Sequence, residues 1–347
     1  MGVVRLSPSG KEVESSSGET VLETLERAGY ALPNNCRAGA CGECKVKVTS
    51  GEFDQGMVLD MALSQEEREE GYGLMCMCKP LTNELEIEWG TEDAQPKLFP
   101  PTENIRCVVV DRIERTPRIT ELRIRPLGNQ IRYWPGQYVM INDVDRKVTP
   151  RCYSIANAPT NDGEIILQIT RVPDGETSNW VHDNLFPGSM LNMSGPYGTF
   201  IGDPSTDGPV LCLVAGTGLA PILALADAAL RRGFKQQVHL VFSAQKEEDI
   251  YDRGLMSFWN AKHRRFKFIP TLTREEKEGY HHGRIPTILS DLYPDLSKHS
   301  IYIAGSPEFV DSCATAAKEL GANDEMIHSE GFFDQAQPIA PGSDQLV

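Results

Sequence analysis

Four cysteines at a restrictive spacing constrain this 347-residue chain more than any other feature. Three of them, Cys36, Cys41 and Cys44, stand in the run CRAGACGEC. The fourth comes from Cys76 or Cys78, well downstream. The spacing C-x4-C-x2-C followed by one distant cysteine is a known way of holding an iron-sulfur cluster with four thiolates. Small residues between the cysteines allow a tight turn whose N–H groups can point at the sulfurs.

This stretch resembles the plant-type 2Fe-2S ferredoxin family. The resemblance implies Cys36, Cys41, Cys44 and Cys76 as ligands, since the family's last ligand precedes a proline by four residues. An alternative is a four-thiolate zinc site that pairs Cys41 with Cys44 and Cys76 with Cys78. The C-x-C spacing is too short for a normal zinc knuckle, and zinc would leave Cys36 without a role.

The composition is that of a globular chain with two or three domains. The net charge of -15 argues against nucleic acid and against an anionic membrane surface as partners. Residues 1–90 carry 16 acidic and 8 basic side chains, which could steer a basic protein partner or could simply be a solvated surface. The first residues contain no apolar secretion signal, and nine cysteines fit a reducing cytoplasm. The uncharged run 210–226 contains glycines and a proline, so a buried strand, turn and helix is expected there instead of membrane insertion.

Residues 1–92 predict a small mixed α+β domain. Thr20 and Glu23 form a capping box for its helix, and alternating apolar residues on either side of the cysteine loop predict strands. The ferredoxin resemblance implies a β-grasp fold for this domain. Residues 93–103 contain three prolines and are expected to be an inter-domain linker.

Residues 104–205 hold short strands at regular spacing, which predicts a small antiparallel β-barrel. Two features in this segment could bind phosphate. In the run RCYS the permanent cation Arg151 is followed by the planar ring of Tyr153 and the hydroxyl of Ser154. The stretch 175–178 is a turn leading into a helix N-terminus, which is a natural anion site. Taken singly, a surface arginine and an ordinary helix start would explain the two features.

Inside one barrel, these two features together resemble the flavin domain of the ferredoxin-NAD(P) reductase superfamily. The resemblance implies FAD, with Arg151 at the pyrophosphate, Tyr153 against the isoalloxazine ring and Ser154 near flavin N5. It also implies a second phosphate contact, made by Gly175, Thr177 and Ser178. The stretch 195–198 resembles the loop that ends this domain in the family.

From residue 206 to residue 334 strands and helices alternate, which predicts a doubly wound parallel sheet of the α/β class. A glycine turn follows the first buried strand and would let a diphosphate approach the backbone. The family resemblance implies that this turn, Gly216, Thr217 and Gly218, binds the nicotinamide dinucleotide.

The end of this segment carries further expected site residues. Glu330 and Phe332 fall near the family's terminal acidic and aromatic segment, which shields the flavin. The expected catalytic residues are therefore Ser154, Tyr153 and Glu330. Residues 335–347 are rich in Pro, Gln and Ala and are expected to be disordered.

The choice of nicotinamide nucleotide is predicted from charge. Between Ser243 and Asp249 the chain carries Gln245 and three acids, where an enzyme for the phosphorylated form needs clustered cations. Acidic side chains repel a 2′-phosphate, whereas a carboxylate accepts hydrogen bonds from ribose hydroxyls. The sequence therefore predicts NADH.

The domain order as a whole resembles the reductase component of multicomponent oxygenases, of the benzoate dioxygenase and soluble methane monooxygenase type. The resemblance implies an oxidoreductase that passes electrons from NADH through FAD and a 2Fe-2S cluster to a terminal oxygenase or hydroxylase. That partner would dock near the ferredoxin domain, and the reductase is expected to be a cytoplasmic monomer. Two alternatives stay open: the same relay serving a P450, a membrane hydroxylase or a separate ferredoxin, and a zinc-stapled nucleotide-binding module.

Overall fold

The computed structural model describes residues 2–203 and 206–332. Its N-terminal domain is a mixed sheet in the order β2-β1-β7-β3-β5, in which only the pair of β1 and β7 is parallel. The remaining two strands, β4 and β6, pair separately. The strands are β1 (Gly2–Ser7), β2 (Lys11–Ser15), β3 (Lys45–Ser50), β4 (Phe53–Asp54), β5 (Tyr72–Leu74), β6 (Lys79–Pro80) and β7 (Glu84–Glu88).

Two helices of this domain begin at capping boxes. In α1 (Val21–Arg27), the Thr20 side chain accepts from the N–H of Glu23, whose carboxylate accepts from the N–H of Thr20. Ser64 and Glu67 repeat the arrangement at α2 (Gln65–Glu69). The apolar face of α1 packs on the sheet, and together they form the core beside the cysteine loop. The expected mixed α+β domain is confirmed.

The second sheet has the order β11-β10-β13-β8-β9-β12, and all of its pairs are antiparallel. A bridge between Ile155 and Leu167 joins its two edges, so the sheet curls into the expected barrel. Helix α3 (Glu176–Asn184) lies between β12 and β13. The strands are β8 (Thr102–Thr116), β9 (Ile119–Pro126), β10 (Tyr138–Asp143), β11 (Arg151–Ser154), β12 (Ile165–Thr170) and β13 (Met190–Tyr197).

One local expectation for the barrel is wrong. The stretch 195–198 was expected to be a loop, but Gly195 to Tyr197 are the last residues of β13, and only Gly198 lies beyond it. Gly195 and Tyr197 pair with neighbouring strands on either side of a register shift. The glycine and proline therefore mark an irregularity in a strand, which is a recognised role of both residues.

The third sheet is entirely parallel, in the order β17-β16-β15-β14-β18-β19. Separate apolar clusters cover its two faces, as doubly wound sheets require. The strands are β14 (Val210–Ala215), β15 (Val238–Ala244), β16 (Phe266–Leu272), β17 (His281–His282), β18 (Ser300–Gly305) and β19 (Ile327–Gly331). The helices are α4 (Leu219–Arg231), α5 (Arg253–Lys262), α6 (Ile285–Leu292) and α7 (Pro307–Glu319).

The uncharged run 210–226 is divided between β14, a short 3-10 turn and α4, as expected. Within residues 2–203 and 206–332, no helix combines the length and the apolar composition needed to cross a lipid bilayer. The expected disordered tail, 335–347, lies outside the described residues.

Candidate active site and cluster loop

A cleft of about 300 Å³ opens where the N-terminal domain, the barrel and the parallel-sheet domain meet. It collects most of the residues singled out in the barrel and beyond it. A larger cavity, of about 410 Å³, lies near Phe99 and Trp134, and none of the motif residues lines it. The predicted residues that line the 300 Å³ cleft are Arg151, Tyr153, Ser154, Thr177, Ser178, Thr217, Glu330 and Phe332.

The run RCYS forms all of β11, and pairing with β10 fixes its direction. Tyr153 is half-buried at the cleft, and burial raises the pKa of its hydroxyl. Ser154 is 7% exposed and hydrogen-bonds to the Glu330 side chain. A cation, a planar ring and a hydroxyl thus meet one cavity, which fits a flavin and its pyrophosphate.

The second expected phosphate site is the start of α3, where Gly175 is the N-cap. In the described structure no side chain caps this end, so its N–H groups are available to an anion. The hydroxyls are already engaged: Thr177 donates to the carbonyl of Thr149 at 2.6 Å, and Ser178 donates to the carbonyl of Gly175 at 3.2 Å. Backbone amides, and not these hydroxyls, are the groups left to meet a phosphate.

The glycine turn after β14 is a single 3-10 turn, Gly216–Gly218. A Cβ atom at Gly218 would lie 2.1 Å from the carbonyl oxygen of Ala304 in β18. Only glycine therefore lets the turn pack this closely against β18. The hydroxyl of Thr217 lies 3.2 Å from that of Thr170 in β12. The turn therefore sits against the barrel at the edge of the cleft, where a dinucleotide would reach the flavin site.

Glu330 belongs to β19, where it pairs with Ala304. The side chain is 6% exposed, and within the described residues its Oε2 atom has no hydrogen-bond partner. Burial raises the pKa of this carboxyl group to about 8, although the bond from Ser154 acts in the opposite direction. A buried polar atom that lacks a partner and faces a cleft fits the place of a missing ligand.

The four expected cluster cysteines form two pairs. The thiols of Cys36 and Cys41 are within hydrogen-bond reach of each other, and so are those of Cys44 and Cys76. A two-iron cluster takes two cysteines on each iron, so two pairs fit it. A four-thiolate zinc site would instead need all four sulfurs around one ion.

Backbone N–H groups point at the sulfurs, as expected from the small residues of the loop. The amides of Ala38 and Ala40 both donate to the Cys36 sulfur at 3.4 Å. The pKa of the Cys36 thiol falls to about 5, because the Cys41 thiol and these amides donate to its sulfur. Cys78 lies in the core with no exposed surface, and burial raises the pKa of its thiol to about 12. The N–H groups directed at the Cys36 sulfur thus favour the thiolate form of Cys36.

Sequence reasoning missed several residues that bring the domains together. Asn35 and Tyr138 also line the cleft. Asn35 lies in the loop 34–44 that carries the first three cysteines, called the cluster loop below, and Tyr138 lies in β10. Asn34 and Arg37 contact the barrel beside them. The available signal was the polar pair directly before Cys36, together with a charged residue inside an otherwise small-residue loop.

Three family models match successive parts of the chain. A 2Fe-2S iron-sulfur cluster binding domain matches residues 4–81, an oxidoreductase FAD-binding domain matches 106–201, and an oxidoreductase NAD-binding domain matches 212–315. The expected fold class and the expected cofactors, a 2Fe-2S cluster, FAD and NAD(H), are confirmed by these matches together with the fold.

Similar proteins share the whole arrangement. The reductase subunit of an aromatic O-demethylase from Amycolatopsis sp. is 32% identical over 94% of this chain and 98% of its own. The crystal structure of the Amycolatopsis cytochrome P450 reductase GcoB superimposes with a TM-score of 0.87 at 29% identity, covering 96% of this chain and 99% of that one. The ferredoxin reductase of a carbazole 1,9a-dioxygenase gives a TM-score of 0.76 at 25% identity, covering 96% and 98%.

Proposed function

Because this chain belongs to the reductase components of multicomponent oxygenases, we propose that it passes electrons from NADH through FAD and a 2Fe-2S cluster to a terminal oxygenase or hydroxylase. The observation that carries the proposal is the cleft shared by the three domains, where cluster loop, barrel and glycine turn meet. FAD, when bound, supplies the conversion between two-electron and one-electron chemistry. The protein supplies the position and the electrostatics of each group.

We assign the following roles within this function. Arg151 and the amides at the start of α3 bind the FAD pyrophosphate, since a fixed cation and an uncapped helix start both favour phosphate. Tyr153 packs against the flavin ring. Glu330, protonated near neutral pH by its burial, would hold a proton beside Ser154, whose hydroxyl would lie near flavin N5. The turn Gly216–Gly218 takes the nicotinamide diphosphate, and Phe332 covers the flavin.

We further assign Cys36, Cys41, Cys44 and Cys76 as the ligands of the cluster. The two thiol pairs and the N–H groups directed at sulfur support this ligand set. The corresponding domain boundaries are 1–92, 93–103, 104–205 and 206–334. In the fold β8 already begins at Thr102, at the end of the proposed linker.

The preference for NADH over NADPH is supported by Glu247. This side chain lies in the 3-10 turn after β15 and accepts hydrogen bonds from Arg253 at 2.9 Å, from Tyr280 at 2.7 Å, and from Lys277. These donors lower the pKa of the Glu247 carboxyl to about 2. The nearby cations are thus already paired with a carboxylate, and a 2′-phosphate would have to displace it.

The terminal oxygenase docks, in this proposal, on the segment that covers the cluster loop. Met57 and Met61 are each 84% exposed, and the amide of Leu59 between them donates to the carbonyl of Gly39 at 3.0 Å. Asp60 lies between the two methionines and is also exposed. An exposed apolar pair within an acidic domain suits a partner with an apolar centre and a basic rim. The GcoB similarity favours a P450 as the second candidate acceptor.

Reconstitution with purified terminal oxygenases of the Rieske, di-iron and P450 classes tests this function. With the true acceptor, NADH consumption increases and is coupled to product formation. Met61→Ser raises the KM of the reductase for that acceptor about fivefold or more. Reduction of ferricyanide should not change. Leu127→Ser, which alters an exposed apolar residue on the barrel, is the matched control. Equal effects of the two substitutions would contradict the docking face, and failure of every acceptor would contradict the function.

We propose a cytoplasmic monomer. No disulfide joins the cysteines within the described residues, which suits a reducing compartment. A monomer suits a protein that must dock on its acceptor and leave again.

A further inference from the structure

Arg37 directly follows Cys36 and connects the cluster loop with the barrel. Its Nη1 atom lies 2.5 Å from Oε1 of Glu26 in α1. Its guanidinium carbon lies 4.2 Å from the centre of the Tyr197 ring in β13. The side chains of Arg37 and Glu26 are 14% and 5% exposed, so the ion pair is buried. One arginine therefore contacts both its own domain and the wall of the neighbouring one.

This arrangement is costly for stability. Burying an ion pair requires desolvation of both charges, and apolar replacements are often neutral or stabilising. Arg37 also has a φ of 53°, in the left-handed region that residues other than glycine seldom adopt. Oε2 of Glu26 has no hydrogen-bond partner in the part of the chain that the structure describes. The buried ion pair and the left-handed backbone of Arg37 do not serve stability. They are better explained if the Arg37 side chain must be held in one fixed position.

Neighbouring contacts extend from Arg37 to the cleft. The Tyr197 ring lies 5.8 Å from the Tyr138 ring, measured between centres. The Tyr138 hydroxyl donates to Oδ1 of Asn34 at 2.7 Å, just before the cluster cysteines. Tyr138 in turn pairs with Ser154 between β10 and β11 and lines the cleft. The residues on both sides of Cys36 are thus fixed to the strands that form the flavin cleft.

We propose that Arg37 is a positioning residue for electron transfer from the flavin to the cluster, an inference that rests on the function proposed above. In that step one electron leaves the reduced flavin and reduces the oxidised cluster. No covalent bond forms or breaks, and Arg37 keeps its charge and its protons. The transfer depends on a fixed separation and orientation of the two groups. Arg37 provides both by holding the cluster loop against Tyr197, and Glu26 keeps the guanidinium stacked on that ring.

Rapid anaerobic mixing of the holoprotein with NADH tests the proposal, because flavin reduction and cluster reduction have separate absorbance changes. Arg37→Met keeps an unbranched, flexible stem and removes the guanidinium group with its charge. It should slow cluster reduction roughly tenfold or more while flavin reduction by NADH keeps its rate. Glu26→Gln, a milder change that keeps the arginine, should give a smaller loss of the same kind. Backbone hydrogen exchange in the cluster loop and in β13 should become faster in both variants.

Arg27→Met is the matched control, because Arg27 bonds Glu19 and the carbonyl of Glu14 within its own domain. It should leave both reduction rates and the exchange pattern unchanged. Cluster reduction at the wild-type rate in Arg37→Met overturns the proposal. So does a loss explained by lower cluster content, since Arg37 would then retain the cluster and not position it. If Arg37→Met fails to fold, wild-type cluster reduction in Glu26→Gln overturns it. Failure of NADH to reduce the wild-type cluster would instead contradict the proposed function.

Discussion

At the scale of single residues, the buried carboxyl of Glu330 sets a pH dependence. Its pKa is raised to about 8 by burial, so the group is protonated at neutral pH. Infrared difference spectroscopy of the wild type against Glu330→Gln should show a protonated carboxyl band that disappears as the pH passes about 8. Disappearance of the band near pH 4 to 5, the ordinary range of a glutamate, would contradict this assignment.

The same shift predicts the direction of a stability change. The folded pKa of Glu330 lies above the unfolded value of about 4.3. Its contribution to stability is therefore fully present below that value, and it is lost as the pH rises to about 8. In this window the contribution of Glu330 to the free energy of unfolding falls by roughly 1.4 kcal/mol per pH unit, and Glu330→Gln removes that contribution.

Glu247 gives a second prediction at this scale, on nucleotide choice. Glu247→Gln leaves Arg253 and Lys277 without their carboxylate partner, so both cations can meet a 2′-phosphate. The ratio of kcat/KM for NADPH to that for NADH should rise about tenfold, the change expected of one charge-assisted bond. Glu248→Gln is the control, because Glu248 contacts only the exposed Lys246 in the described structure. An equal ratio in both variants would argue against the role of Glu247.

Residues that act through a local pattern could be predicted from the sequence, and residues that act across domains could not. The run from Arg151 to Ser154 is a continuous motif, and the structure places it on one strand at the cleft. The contact of Arg37 with Tyr197 joins positions far apart in the chain, and no periodicity links them. Glu247 was predicted as an acid that repels phosphate. Its pairing with Lys277 depends on the spacing of two parallel strands in the sheet.

At the scale of elements, the structure was predicted best where residues close together in the sequence determine it. The capping box of Thr20 and Glu23 starts a helix where the sequence indicates one, and Ser64 and Glu67 form a second box of the same kind. The last barrel strand, Met190–Tyr197, was missed because its glycine and proline are typical of turns. Pairing with two neighbouring strands overrides this local preference, and that information is not local in the sequence.

At the scale of the whole molecule, the proposed electrons travel from the C-terminal domain to the N-terminal one. They enter at the parallel sheet, pass through the barrel and leave from the domain that carries the cysteine loop. The parallel sheet presents its glycine turn to the barrel at Thr170, and the barrel presents Tyr138 to the cluster loop at Asn34. Both contacts border the same cleft. In the proposed relay the cluster is the exit, and the segment that carries Met57 and Met61 contacts the cysteine loop at Gly39.

The most direct test of this account is an anaerobic titration of the holoprotein with NADH, in the wild type and in Cys41→Ser. In the wild type the visible absorbance of the flavin should bleach, and the electron paramagnetic resonance signal of the reduced cluster should appear. The protein should take up one electron more than the flavin alone can hold. In Cys41→Ser the flavin should still bleach, while that extra electron and the transfer to the acceptor are lost. Equal loss of flavin reduction and cluster reduction in Cys41→Ser would contradict the division of roles between the two centres.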